Sequence, residues 1–261
     1  MAILECCADS ALSALAAERG GADRLELCQD LLIGGTTPPL SLYHQVRKQI
    51  RLPIHVLLRP RFGDFLYNDY ELSQLEEDVR TFIEEGADGI VIGALTADGD
   101  LDMAALARLI DAAYSAHPAT HSANQKIHIT LHRAFDVCRD PFLALSQAKA
   151  LGIQTILTSG QKKTALEGLS LLKELQEKAG SELTIMAGSG IDDAAIRQIA
   201  SETSIRTFHL SGKESVPSKM RYRKEGVPMG ISLGESTISE FIHFRTSEEK
   251  IRKAKATAES I

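Results

Sequence analysis

The sequence predicts an α/β protein built as a single (β/α)8 TIM barrel with a long loop between the eighth strand and the last helix. Three observations carry that expectation. Eight short apolar runs recur at intervals of roughly 20 to 40 residues, the rhythm of βα units in a parallel sheet. The stretches between them are amphipathic and close in glycine, the preferred residue just past a helix C-terminus. The runs also carry polar residues at alternate positions, which suits the lining of a closed barrel.

The runs are AILEC, RLELC, IHVLLR, GIVIG, IHITLH, TILTS, LTIMAG and TFHLS. Representative helical stretches are SALSALAAERG, LSQLEEDVRTFIEEG and TALEGLSLLKELQEKAG. The junctions RGGADRLEL and EEGADGIVI repeat one plan, in which glycine ends a helix and a short loop feeds the next strand. Right-handed crossovers close eight such units into a ring. A doubly wound sheet would instead call for a Gly-x-Gly-x-x-Gly turn after the first strand, and ECCADSA has none. Residues 1–261 are expected to form one domain. Two segments break the rhythm: HPATHSANQ reads as an insertion on the N-terminal face of the barrel. Residues 212–236 read as a loop over the C-terminal face, followed by a final helix over 237–256.

Composition bounds the function. Hydrophobic content of 44% and charged content of 25% are those of a soluble globular chain. A formal net charge of −6 argues against nucleic acid or an anionic membrane as the main partner. The first residues show no secretion signal, and no stretch is long and apolar enough to span a membrane, so a cytoplasmic location is expected. There the 4 cysteines are expected as thiols rather than disulfides.

Strand phase selects the inward set. In the first strand Ile3, Glu5 and Cys7 share a face; in the second, Arg24, Glu26 and Cys28 do. Leucines belong against the helices, so these sets point into the barrel. Neighbouring strands lie about 4.8 Å apart, which makes Glu5 beside Glu26, and Cys7 beside Cys28, the expected pairs. In IHITLHRAFDV the polar face carries His128, Thr130 and His132 inward, with His132 at the mouth and His128 a layer lower as a hydrogen-bonded interior histidine. Thr184, Met186 and His209 also face in. Arg59, at the end of the third strand, is expected to keep both glutamates ionised, or else two close carboxylates share a proton and one pKa rises. Such a carboxyl beside a histidine suits proton transfer near neutral pH. The same set read structurally is a buried ion pair.

Gly188, Ser189 and Gly190 after the seventh strand, and Ser159 and Gly160 after the sixth, offer backbone cradles for an anion. Soft thiolates select Cu(I), so Cys7 and Cys28 also form a candidate metal pair, with Met186 as a further sulfur; read structurally, they are two small buried hydrophobes. Cys6 points to the helices, and Cys138 lies in the loop after HRAFD.

LECCADSALSALAAERGGADRLELC, GGTTP, RPRFGDFLY, GADGIVIGALTADG, HRAFD, ILTSG, ALEGL and MRYR…VPMG together resemble the CutC family of copper homeostasis proteins. The resemblance runs from about Ile3 to Gly230. It implies a (β/α)8 barrel, a cytoplasmic homo-oligomer (dimer or tetramer), a role in copper binding or tolerance, and no organic cofactor. It places the family's Cu(I) ligands on Cys7 and Cys28. It places the family's polar strand-end set, which looks like an enzyme site, on Glu5, Glu26, Arg59, Asp64, His132 and Asp136. Phe62 and Ser189 stand where the family usually has glycine. Two functions are therefore expected: Cu(I) binding through paired thiolates, or an enzyme acting on a small anionic metabolite.

Overall fold

The computed structural model describes residues 2–117, 127–224, 226–227, 232–233, 236–237 and 239–261. The eight runs become strands β1 (Ile3–Ala8), β2 (Arg24–Leu27), β3 (Ile54–Leu57), β4 (Gly89–Ile92), β5 (His128–Leu131), β6 (Thr155–Thr158), β7 (Thr184–Gly188) and β8 (Thr207–Leu210). They pair in parallel, in chain order, and β8 returns to β1 to close the barrel. Helices α1 (Ala11–Arg19), α2 (Leu40–Arg47), α3 (Asp69–Glu84), α4 (Met103–Ala116), α5 (Pro141–Ala150), α6 (Leu169–Ala179), α7 (Asp193–Glu202) and α8 (Glu248–Glu259) surround it. Their starts are set by short polar side chains that accept otherwise orphaned N–H groups: Ser10, Asp102, Asp140 and Asp192. Asn68 and Glu71 form a full capping box on α3.

Alternation sorts the side chains as expected. Leu4, Cys6, Leu25, Leu27, Ile129 and Leu131 join the apolar layer between sheet and helices. The opposite face buries Glu5, Arg24, Glu26, His55, Thr130 and Thr155 inside the barrel. A barrel interior is more often branched aliphatic, and here the polar filling is only partly paired within itself: Glu26 Oε2, His55 Nδ1 and Thr130 Oγ1 have no hydrogen-bond partner among the described residues.

The pairing inside differs from the expected one. Closing a barrel staggers adjacent strands, and the stagger sets Glu5 opposite Arg24 and Cys7 opposite Glu26. Arg24, not Arg59, is the counter-ion: its Nε donates to Glu5 Oε2 at 2.5 Å, and its Nη2 reaches Met186 Sδ at 3.5 Å. Met186 is thereby a partner of Arg24 within the barrel. Arg59 lies past the last residue of β3, so its guanidinium leaves the strand and binds the carbonyls of Gly35 (3.1 Å) and Gly63 (3.0 Å) over the Phe65 ring. His128 is held as expected, its Nε2 bonded to Thr155 Oγ1 at 2.9 Å, and its ring stacks on His55 at 4.8 Å.

The chain after β8 also departs from expectation. Residues 237–256 do not form one helix. Strand β9 (Lys213–Pro217), the short pair β10 (Ser232–Leu233) and β11 (Ser236–Thr237), and β12 (Ile242–Thr246) precede the shorter α8. β12 runs antiparallel to β9, and the Thr246 N–H donates to Ser13 Oγ, tying the hairpin to α1. The alternation in IHFRT supports a strand once β9 offers an edge. Most of the HPATHSANQ insertion lies outside the described residues. No helix among the described residues is long and apolar enough to cross a membrane.

Arg24 compensates a fully buried carboxylate, so Arg24→Met is expected to cost about 3–5 kcal/mol in urea unfolding. Replacing Glu5 by Gln in the same chain should recover a large part of that loss; equal instability of single and double variants would contradict the pairing.

Candidate functional site

The C-terminal ends of the strands open into a cup of about 990 Å3. Its lining includes Cys7 from β1, Glu26 from β2 and His209 from β8, with His132 and Arg59 from the loops after β5 and β3. Lys213, Lys250 and Lys253 stand at the rim.

The base of the cup is a charge relay. Glu5 is buried between three cations or potential cations: Arg24, His209 Nδ1 at 2.7 Å and His55 Nδ1 at 3.9 Å. Burial pushes Glu5 upward, but Arg24 and the two histidines outweigh it and hold the carboxyl well below the usual range. Glu26 has no such guanidinium contact. Burial, opposed by His209 and assisted by Glu5, pushes its carboxyl up to about 7, and its Oε2 has no hydrogen-bond partner among the described residues. Burial would lower His209, yet Cys7, Glu26 and Glu5 around it keep the imidazole well above its ordinary value. Ligating atoms of Glu5, Glu26 and His209 lie within 4.8 Å of one another; in this arrangement the protonated imidazole is the cation that the two carboxyls share.

His132 is different in kind. Its Nδ1 accepts the Ala134 N–H at 3.1 Å, capping the turn Arg133–Val137. Burial and the Arg59 charge push its pKa down to about 3, so the ring is neutral and does not exchange protons near pH 7.

Several expected residues are occupied elsewhere. Asp136 accepts from Thr158 Oγ1 (2.5 Å), the Ser159 N–H (3.0 Å) and the Gln161 N–H (3.3 Å), and it pairs with Arg133 at 2.6 Å. The cradle at Ser159 and Gly160 is therefore filled by the protein's own carboxylate, and Gly160 donates to Thr158 Oγ1. Asp64 is exposed and bound to Arg61 at 3.0 Å. Gly188 ends β7 against Leu157, whereas Ser189 and Gly190 do line the cup. Ser189 takes a left-handed backbone at φ 75 and donates its hydroxyl to the Lys163 carbonyl, so serine in the glycine position is held by a bond of its own. Cys28 is sealed among Leu57, Val91 and Leu31, and its thiol donates to the Ala8 carbonyl at 3.5 Å. Burial, then Cys7 and Glu26, push its pKa well up. The cup itself is reached only by Cys7 of this pair. Sequence reasoning named His209 as inward but missed its role; the closure of β8 onto β1, which sets His209 opposite Glu5, is the signal that finds it.

Fold and site together define a (β/α)8 barrel with a polar cup at its strand ends. The chain belongs to the CutC family, whose match spans residues 2–214. A family protein CutC of Bacteroides thetaiotaomicron is 42% identical over 248 residues, 95% of this chain and 94% of its own. The human copper homeostasis protein cutC homolog is 39% identical over 259 residues, 99% of this chain and 90% of its own. The crystal structure of a putative copper homeostasis protein CutC from Streptococcus agalactiae superposes with a TM-score of 0.72 at 30% identity, covering 81% of this chain and 99% of that one. The barrel architecture is shared more widely, as in N-(5'-phosphoribosyl)anthranilate isomerase from Pyrococcus furiosus, at TM-score 0.54, 11% identity and full coverage of both chains.

Because the folded Glu26 pKa lies above its ordinary 4.5, at about 7, its contribution to stability is full below pH 4.5 and is lost as pH rises through 7. Glu26→Gln should therefore stabilise the protein by about 3 kcal/mol at about pH 8 and by less than about 1 kcal/mol at about pH 5, measured by urea unfolding. An effect equal at both values would show that Glu26 is not a raised acid.

Proposed function

We propose that this protein binds a small anionic metabolite in the strand-end cup and moves a proton on it through Glu26. The observation that carries this is the Glu26 carboxyl: it lines the cup, its Oε2 is unpartnered, and burial sets its pKa at about 7. A group balanced at neutral pH both accepts and returns a proton effectively. His209 is the positioning partner, since its positive charge limits how far Glu26 rises. Lys213, Lys250 and Lys253 supply positive charge to the cup that Ser189 and Gly190 also line. Of the carboxyl and histidine expected to share proton transfer, Glu26 keeps that role and His132 does not, because His132 is neutral and its Nδ1 is bonded to the Ala134 N–H. Arg59 is committed to the Gly35 and Gly63 carbonyls, which leaves substrate holding to the rim lysines.

A second reading makes Cu(I) a cargo of Cys7 and Cys28, in keeping with the names of the relatives. It is favoured by Cys7 facing the cup with Cys28 near enough for Cys7 to act on its pKa. The pair as it stands does not fit a two-thiolate ion, since Cys28 is protonated, sealed and bonded to Ala8. Loading would require that proton and that bond to be given up.

One experiment weighs the two. Thermal shifts are read for the wild type, Glu26→Gln and a Cys7→Ser/Cys28→Ser double variant against phosphorylated and carboxylated metabolites, alongside anaerobic Cu(I) titration. The acid–base reading predicts anion-induced shifts in the wild type and the cysteine variant that change in size as pH crosses about 7, and that persist without this pH dependence in Glu26→Gln. No anion response, with sub-micromolar Cu(I) affinity that vanishes in the cysteine variant, would replace it by the copper reading.

A further inference from the structure

We propose that His132 donates a hydrogen bond from Nε2 to a carbonyl oxygen of the ligand, so that the anion taken by the cup is a carbonyl compound with a C–H bond next to that carbonyl. This rests on the proton-transfer reading of Glu26 and names its substrate class. The geometry has three parts. First, the Ala134 N–H occupies the lone pair on Nδ1, which fixes the ring hydrogen on Nε2. Second, Nε2 has no partner among the described residues although the side chain is buried and lines the cup. A buried donor left unmade is costly unless something supplied later satisfies it. Third, the ring is clamped: a Cβ on Gly93 would collide with Nδ1 and Cε1, and the Phe65 ring lies 5.0 Å away, itself covered by the Arg59 guanidinium at 4.9 Å.

A clamped neutral imidazole is poor at exchanging protons and well suited to stabilising oxygen charge as it develops. The step balances without an added reagent. Glu26 as carboxylate takes the proton from the carbon beside the carbonyl; the C–H pair becomes the enolate C=C bond, and the carbonyl π pair moves to oxygen, where His132 Nε2–H meets it. The protonated Glu26 then returns the proton to carbon. Among the described residues, three residues lining the cup keep a buried polar atom without a partner, Glu26 Oε2, His132 Nε2 and Arg59 Nε, and this step uses the first two.

The test uses the full chain and three probe pairs: pyruvate against lactate, hydroxypyruvate against glycerate, and dihydroxyacetone phosphate against glycerol 3-phosphate. At least one carbonyl member should bind more tightly than its reduced partner and exchange its carbon-bound protons with D2O. With a 13C-labelled carbonyl, its infrared C=O stretch should move to lower wavenumber on binding. His132→Leu should abolish that shift and slow exchange by about 100-fold, the scale of losing one oxyanion donor, and His132→Gln, which keeps an N–H, should restore part of both. Should a variant fail to fold, 15N NMR of wild-type His132 decides: the account requires a neutral Nε2–H tautomer from pH 8 to pH 5, and titration near 6.5 or a hydrogen on Nδ1 overturns it. Equal binding of both members of every pair, or a C=O shift unchanged in His132→Leu, also overturns it while leaving intact an anion binding whose pH dependence near 7 comes from Glu26. No anion binding at all removes both.

Discussion

Glu5 is a carboxylate closed inside a barrel, and the way it is neutralised fixes what every other polar group there can be. Its contact with Arg24 uses the interior guanidinium, while His209 closes on its other oxygen. Glu26, one strand over, is left with burial as its dominant influence and rises toward neutrality. The Arg24 charge, added to burial, also lowers His55 and brings His128 down to about 4, so the lower layer is packed with neutral rings. One ion pair thereby separates a fixed charge, a neutral layer and an adjustable proton.

That separation accounts for how the cup is equipped. Groups that face it divide into those already satisfied and those left open. Asp136, Ser159 and Gly160 form a closed knot that shapes the loop after β6. Arg59 braces the loops after β2 and β3 through carbonyls, although its Nε has no partner among the described residues. Glu26 and His132 each keep one polar atom without a partner. A buried orphan in a native site marks strain or a place kept for a ligand, and here two such atoms belong to opposite chemical types, an acid–base group and a fixed donor.

Much of this was legible in the sequence. The βα rhythm follows from apolar runs and terminal glycines, and strand phase correctly sent Glu5, Glu26 and His132 inward. Register was not legible, because the stagger of a closed barrel is a property of the whole ring rather than of two adjacent motifs. That single omission exchanged Arg24 for Arg59 as the counter-ion and placed Cys7 opposite Cys28 instead of Glu26. The strand β12 was masked by helix formers flanking IHFRT, and only its pairing with β9 reveals it. The open or satisfied state of Asp136, Asp64 and Cys28 depends on neighbours distant in sequence, so residue type alone could not assign it.

Glu26 holds an exchangeable proton at neutral pH because it is buried and because Arg24 is engaged by Glu5. The most direct measurement of that proton is a 13C NMR titration of the glutamate side-chain carboxyls, with the Glu26 signal assigned by its loss in Glu26→Gln. The account predicts a midpoint near 7 for Glu26, moving lower when Glu5 is replaced by Gln and Arg24 is released from its pair. A Glu26 midpoint at the ordinary 4.5, unmoved by that replacement, would contradict it.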